Sequence, residues 1–352
     1  MDQNRSLKRK KRRKRLIRNI LTTLTIIALC IGGYFAYIFY ELNSAANKSF
    51  KDLKGNVPKN HDKPDIKNKP FTMLLLGIEN QDGGQGRSDV ILLITANPKS
   101  KEVAMLSIPR DSLVEIPSEG IKDKINHSYS YDGLDGTVET VYNLTGIPID
   151  YYITTNFDGF KKTVDILGGV DVEVPFTFSA QLTETLTWKR YHQGPMHLDG
   201  REALAYVRMR KADPKGDIGR IERQKQVIQE IVKKSSSITS ITKIDDLIES
   251  LGENVQTNIP ASEFLDFLYT YKIMKDTQID NVLLTGDDDR INGIYYYRLH
   301  EDNLELASEH LKGIISRKKP EEAITFEEFK NPPIEQEPNT NDGTDTNTNT
   351  QQ

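Results

Sequence analysis

Through the middle of the chain, short apolar runs bounded by glycine, asparagine or proline occur at residues 71–76, 89–96 and 103–108. Runs of this length that are apolar on both sides predict strands buried on both faces. The spacing then becomes helical. Residues 137–144 and 157–167 follow a helical repeat, and Gly168-Gly169 supplies a stop after the second of them. A strand follows at 170–174. Further helices are predicted at 218–234, 244–251, 261–274 and 301–315, with strands at 281–284 and 295–299 among them. This alternation defines an α/β class, a layered α-β-α domain with a central mixed sheet. The chain carries no internal repeat.

The ends of the chain are patterned differently. Residues 20–40 form a stretch of 21 residues without a charge. At a helical rise of 1.5 Å per residue it reaches about 31 Å, the thickness of a bilayer's hydrocarbon core. A single transmembrane helix is expected there, with Tyr34, Tyr37 and Tyr40 toward the outer interface. Ser44-Ala45-Ala46 has the small residues of a signal-peptide cleavage site, but the apolar stretch is much longer than an ordinary signal h-region. That length favours an uncleaved signal-anchor. Residues 41–70, rich in Lys, Asn, Asp and Pro, read as a spacer, and residues 71–319 as the folded domain. Beyond Pro320 the chain passes through Pro332-Pro333 into Asn, Thr, Asp and Gln repeats, a composition that buries too little apolar area to offset chain entropy. Residues 320–352 are therefore expected to be a disordered tail.

Charge sharpens this picture. Residues 1–18 hold ten lysines and arginines against one acid, Asp2, a local charge of +9 that leaves −13 of the net −4 to the remainder. A basic segment over residues 1–19, directly before the span, places the N-terminus in the cytoplasm and the rest outside the cell. The acidic remainder excludes a general nucleic-acid surface, so no nucleic-acid partner is expected. The one cysteine, Cys30, lies within the predicted span, so the exported part relies on its core rather than on disulfides.

Against this acidic background, arginines and acids recur in three places: Gly86-Arg87-Ser88-Asp89, Ser107-Ile108-Pro109-Arg110-Asp111, and the segment from Arg208 to Gln224. Arginine presents a planar fork of donors that fits phosphate oxygens, and a neighbouring aspartate can hold a divalent cation on the same phosphates. Gly77 closes the first predicted strand, Arg87 and Asp89 open the second, and Pro109-Arg110-Asp111 ends the third. Loops at such strand ends converge on ligands in α/β sheets. An extended backbone at Arg208-Met209-Arg210 would turn both arginines to one face, so a helix is predicted to about Tyr206 with an extended exit. On the following helix Ile218, Ile221, Ile228 and Val232 share a stripe flanked by Arg220 and Gln224, with Arg223 further round. Polar heads beside an apolar stripe suit a lipid phosphate, and ordinary snorkelling gives the same pattern. Each motif also has a bland alternative: a surface ion pair, a turn, or a solvated helix face.

Taken together, the blocks resemble the LytR-CpsA-Psr family of cell-wall glycopolymer ligases in order and spacing. The resemblance runs from about Phe71 to about Lys234. It includes Gly77-Ile78, Gly86 to Asp89, Ser107 to Asp111, Lys124-Ile125-Asn126-His127, Gly146 to Tyr152, Gly168 to Asp171, Leu198-Asp199-Gly200, Ala203 to Arg210, and Gly216 to Arg220 with Arg223-Gln224. It implies a membrane-anchored phosphotransferase acting outside the cell. Such an enzyme takes an anionic glycopolymer, teichoic acid or capsule, from a polyprenyl-pyrophosphate carrier and joins it to peptidoglycan with Mg²⁺ or Mn²⁺. On the family's pattern Asp89 is a metal ligand. Arg87, Arg110, Arg208, Arg210, Arg220, Arg223 and Gln224 hold the pyrophosphate, and Arg110 also stabilises the charge that develops on it. Where the family has an aspartate two residues after the first strand's glycine, this chain has Glu79, a second candidate metal ligand. Asp217 is the candidate general base, with Asp111 as its rival and helix N-capping as the alternative role for Asp217. His127 is a candidate contact. A polyprenyl-pyrophosphate pyrophosphatase would use the same residues with water as acceptor, and a non-catalytic lipid-binding or regulatory envelope protein would need none of the chemistry.

Overall fold

The computed structural model describes residues 51–52, 65–79, 86–183, 185–210, 212–236, 254–260, 263–274, 276–319 and 323–330. The predicted span at 20–40 and the predicted helix at 244–251 lie outside these residues. Among the described residues no helix is long and apolar enough to cross a membrane.

Six strands form the central sheet: β1 (Phe71–Glu79), β2 (Arg87–Asn97), β3 (Glu102–Ser107), β4 (Tyr151–Asn156), β5 (Val255–Thr257) and β6 (Ile279–Leu283). Their order is β5-β4-β1-β2-β3-β6. β1 runs parallel to β4 and β3 parallel to β6, while the other neighbours are antiparallel, so the sheet is mixed. β4 was absent from the sequence reading, yet it pairs directly with β1 and brings Thr155 and Asn156 beside Gly77 and Ile78.

Alternation along β1 assigns its two faces. Leu74, Leu76 and Ile78 enter a core with Leu134, Val138 and Val141 of helix α1 (His127–Thr145) and Ala307, Leu311 and Ile314 of the C-terminal helix Glu301–Ser316. Full burial of each large aliphatic side chain contributes roughly 1.5–3 kcal/mol. The opposite face turns Leu75 and Gly77 toward helices α2 (Phe157–Ile166), α3 (Gly200–Arg208) and α4 (Asp217–Ser236), which have a second core of their own. An α-β-α layering results.

A β-bulge breaks the regularity of this sheet. Gly77 pairs with Val90, but Ile78 pairs with Ser88 and Glu79 with Arg87, so Asp89 is an extra residue in β2. The extra residue puts Arg87 on the same face as Val90 and Leu92, and it re-aims the carboxylate of Asp89.

Several expected boundaries move. α1 begins at His127, ten residues' worth of backbone before the apolar repeat at 137, and bends at Asp132 and Gly133. Within the predicted spacer, Ile66 is buried beside Phe71 and Tyr151, and Lys51 donates its backbone N–H to Thr257. In the predicted tail, the short helix Phe326–Lys330 inserts Phe326 into the main core, and the Phe326 N–H donates to Asp280 at 2.6 Å. An apolar ring in an otherwise acidic segment was enough to dock it.

Candidate functional site

The C-terminal ends of the parallel strands β1 and β4, the start of β2 and the turn after β3 meet at one edge of the sheet. A polar cleft of about 470 Å³ opens there, lined by Glu79, Arg87, Asp89, Arg110, Asp111 and Lys124, with Asn126, His127 and Ser130 from the start of α1 and the residues before it. Behind it, between the sheet and α2–α4, lies a larger and mostly apolar cavity of about 930 Å³. Leu75, Leu92 and Ile153 of the sheet form one wall, and Phe160, Leu204 and Ile228 face them from the three helices. Asp89 and Arg110 line both spaces. They stand where the polar and apolar spaces join.

Backbone hydrogen bonds hold Arg110 at this junction. Ile108 donates to Ile91 at 3.0 Å, Ser112 donates to Pro109 at 3.0 Å, and Asn126 donates to the Arg110 carbonyl at 3.2 Å. Its guanidinium Nη1 lies 2.8 Å from Asp89 Oδ2, and its Nε lies 3.6 Å from Asp111 Oδ2. Lys124 Nζ reaches Asp111 Oδ1 at 2.9 Å. On the other side Arg208 Nη2 contacts Glu79 Oε1 at 2.9 Å, and its guanidinium lies 4.4 Å from the centre of the Phe157 ring. Each carboxylate of the cleft thus has a cationic neighbour.

The segment after the strand Gly194–Leu198 explains how the second set of arginines is placed. Asp199 caps α3 by accepting from the Glu202 N–H at 2.9 Å, and Glu202 accepts in return from the Asp199 N–H at 3.4 Å. A side chain at Gly200 would collide with the Lys161 carbonyl oxygen at 2.3 Å, so Leu198-Asp199-Gly200 is a cap and a close helix contact. α3 continues to Arg208, two residues beyond the predicted end, and Met209 is extended. Arg208 and Arg210 both reach the cavity wall, as do Arg220 and Gln224 of α4, which are buried.

Arg223 does not join them. It lines neither space. Its guanidinium is enclosed by the Asp213 carboxylate and the carbonyls of Tyr206 and Met209, with the Nε–Tyr206 distance 3.1 Å. A Cβ at Gly219 would come within 2.0 Å of Asp213 Oδ2, so the glycine makes room for the carboxylate that holds Arg223. The predicted stripe on α4 is also only partly correct: Ile228 and Val232 reach the cavity, with Ile231 between them, but Ile218 is exposed. Asp217 is the first residue of α4, and its side chain lies outside the described residues.

Sequence reasoning left Asp123 out of the site. It lies in the second strand of the hairpin formed by Leu113–Ile116 and Ile121–Lys124, and its Oδ2 lies 2.8 Å from His127 Nδ1 and accepts from the Tyr131 hydroxyl at 2.8 Å. Burial pushes its pKa up, but the hydrogen bonds from His127, Tyr131 and the Lys124 N–H outweigh this and hold it below the ordinary carboxylate value. The spacing of Asp123 and His127, four apart across a helix start, was the signal available.

An apolar cavity opening onto a cleft of arginines and carboxylates defines an α/β protein with room for an amphiphile that carries an anionic head. The chain belongs to the LytR-CpsA-Psr family, whose family model, LytR_cpsA_psr, matches residues 36–313. It is 39% identical over 311 residues to the polyisoprenyl-teichoic acid–peptidoglycan teichoic acid transferase TagU of Bacillus licheniformis, covering 88% of this chain and 99% of the relative. The crystal structure of Bacillus subtilis TagV is similar with a TM-score of 0.62 at 43% identity, over 71% of this chain and 98% of that one. TagT bound to LIIa-WTA is similar with a TM-score of 0.61 at 33% identity, over 76% and 99%.

Proposed function

We propose that this chain is a membrane-anchored phosphotransferase that moves an anionic glycopolymer of the teichoic acid type from a polyprenyl-pyrophosphate carrier to peptidoglycan. The observation that carries the reading is that Asp89 and Arg110 line both the polar cleft and the apolar cavity. A polyprenyl pyrophosphate has the matching construction, an apolar tail joined to two phosphates. The tail takes the cavity between the sheet and α2–α4, and the phosphates lie at the junction, within reach of the surrounding arginines. The name of TagU describes this transfer for a relative covered over almost its full length.

The chain's residues act mainly by charge and position. Arg110, Arg208, Arg210 and Arg220 neutralise the pyrophosphate and stabilise the charge that moves onto the departing polyprenyl phosphate, with Arg87 on the cleft side and Gln224 adding a neutral donor. A peptidoglycan hydroxyl in the cleft attacks the phosphorus next to the glycopolymer.

Glu79 and Asp89 fit a divalent cation of the Mg²⁺ or Mn²⁺ kind. Both line the cleft, and no cluster of three or more acid, histidine or cysteine ligands occurs among the described residues. Mg²⁺ is commonly held by one or two carboxylates together with water and substrate phosphates, which suits a pair of acids beside a pyrophosphate. When bound, the ion supplies further neutralisation of phosphate charge.

The basic segment 1–19 and the uncharged stretch 20–40 support a single-pass anchor with the N-terminus cytoplasmic and the domain outside the cell. Tags at either terminus, labelled from one side of intact cells, test this orientation.

The decisive test incubates the purified full chain with a lipid-pyrophosphate-linked glycopolymer and peptidoglycan oligomers, with Mg²⁺ or EDTA, and reads products by mass spectrometry. A metal-dependent glycopolymer-phosphate adduct on peptidoglycan is expected. Free glycopolymer phosphate in place of the adduct would mean a pyrophosphatase, and tight lipid binding without turnover would mean a binding protein.

A further inference from the structure

Asp89 and Arg110 line both the polar cleft and the apolar cavity, whereas His127 and Ser130 line the cleft alone. A donor anchored by its tail in the cavity puts its phosphates at the shared residues. The part of the cleft that the cavity does not share, with His127 on its wall, is then left for the acceptor hydroxyl.

We infer that His127 takes the proton from that hydroxyl and that Asp123 positions it to do so, an inference that rests on the transfer reaction proposed above. Asp123 comes from the strand Ile121–Lys124 and His127 opens α1, so the contact joins two separate elements. The Asp123 carboxylate is itself fixed from several directions. Its Oδ2 accepts from Tyr131 at 2.8 Å, and its Oδ1 accepts from the Lys124 N–H at 2.8 Å and the Tyr296 hydroxyl at 3.4 Å. An ionised carboxylate only accepts, so Nδ1 of His127 carries the hydrogen in the 2.8 Å contact and Nε2 carries the lone pair.

The other basic side chains of the cleft are placed less well for this task. Asp89 faces Arg110 at 2.8 Å, Glu79 faces Arg208 at 2.9 Å, and Asp111 lies between Lys124 at 2.9 Å and Arg110 at 3.6 Å. Each of these carboxylates is already engaged by a cation. His127, also on the cleft wall, has an anion, Asp123, as its neighbour instead. Tyr131 meets its ring edge-on at 6.4 Å, and Arg87, Arg110, Asp111 and Lys124 complete its charged surroundings on the cleft walls.

In the step, the acceptor O–H bond breaks and its proton passes to Nε2 of His127. The oxygen forms a bond to the phosphorus next to the glycopolymer. The bond from that phosphorus to the bridging oxygen breaks, and its electron pair leaves with polyprenyl phosphate. The imidazolium then returns its proton to solvent.

The test measures donor binding, kcat and KM for the acceptor on the full chain, using the lipid-pyrophosphate-linked glycopolymer and peptidoglycan oligomers as probes. His127→Gln is expected to keep the donor Kd and the thermal melt of the wild type while kcat falls about 10²–10⁴-fold, the range of general-base catalysis. The acid limb of the wild-type pH–rate profile should disappear with it. His127→Gly should regain activity with added imidazole, and Asp123→Asn should lower kcat and move the acid limb at unchanged donor Kd. Full turnover in His127→Gln, or a drop in donor affinity that accounts for its whole loss, would overturn the assignment. A wild-type chain that binds donor without transferring it would remove the transfer reading itself, and the assignment with it.

Discussion

Arg223 and Asp213 form an ion pair that solvent hardly reaches, their side chains 1% and 2% exposed. The pair ties α4 to the segment that follows α3, and the same guanidinium holds the carbonyls of Tyr206 and Met209. Arg208 and Arg210 flank Met209, so this buried pair braces the arginines that do reach the cavity. Removing one partner leaves a buried charge, at a cost of about 3–5 kcal/mol. Asp213→Ala and Arg223→Ala are each expected to lower stability by that amount in urea unfolding. Normal stability with lost donor affinity in Arg223→Ala would instead make it a phosphate ligand.

Arg110→Lys tests the junction. Lysine keeps the charge but loses the fork of donors that can engage a carboxylate and a phosphate together. Transfer is expected to fall by about 10²–10³-fold, the loss typical for one preorganised electrostatic donor. A steady-state transfer assay that finds near-wild-type kcat would show that charge alone suffices there.

Asp89→Asn and Glu79→Asp separate the two candidate metal ligands. Asp89→Asn should raise the Mn²⁺ concentration needed for half-maximal transfer by more than the roughly 10–100-fold typical of outer-shell changes. Glu79→Asp keeps a carboxylate and should retain metal-dependent transfer, while Glu79→Gln should not. Manganese titrations of the three variants check this, and equal metal demand in all of them would remove both residues from the metal site.

Ile228→Trp fills part of the apolar cavity opposite the sheet. Donors with long polyprenyl tails should lose binding, while analogues with short tails should be affected little. Binding measured across a series of tail lengths distinguishes this from general damage, which would weaken every donor alike.

Tyr151, Tyr152, Tyr191 and Tyr206 are buried, and burial raises all four phenol pKa values, that of Tyr206 to about 12. An unfolded chain would release these protons near pH 10. The folded form holds them longer, so it binds more protons than the unfolded form above that pH, and stability falls as pH rises. Unfolding free energy is expected to decline from about pH 10 toward pH 12, with a shallower decline in Tyr206→Phe. Urea midpoints across that range provide the measurement.

Much of the site could be read from sequence because arginine and aspartate stood at the ends of well-marked strands. Arg87, Asp89 and Arg110 needed only β1–β3 to be located. Arg223 was harder, since a helical wheel gives direction but not what lies there, and its partner Asp213 stands outside the helix. The strand Tyr151–Asn156 carries aromatic and β-branched residues, but its six residues stand directly before the helix starting at Phe157, which leaves only a short apolar signal of its own. Phe326 was missed for a related reason: the acidic and polar composition around it outweighed one ring, and docking depends on a surface made by distant residues such as Asp280 and His310.

The bulge at Asp89 also limits how this stretch of sequence can change length. Before it, the cavity face of β2 is reached by Arg87; after it, by Val90 and Leu92. Deleting one residue would restore simple alternation with Arg87 still on that face, but the carboxylate of Asp89 would be lost or turned into the core beside Ile78. The count of residues between Arg87 and Val90 is therefore constrained as tightly as their chemistry, and single-residue insertions or deletions should not be tolerated here.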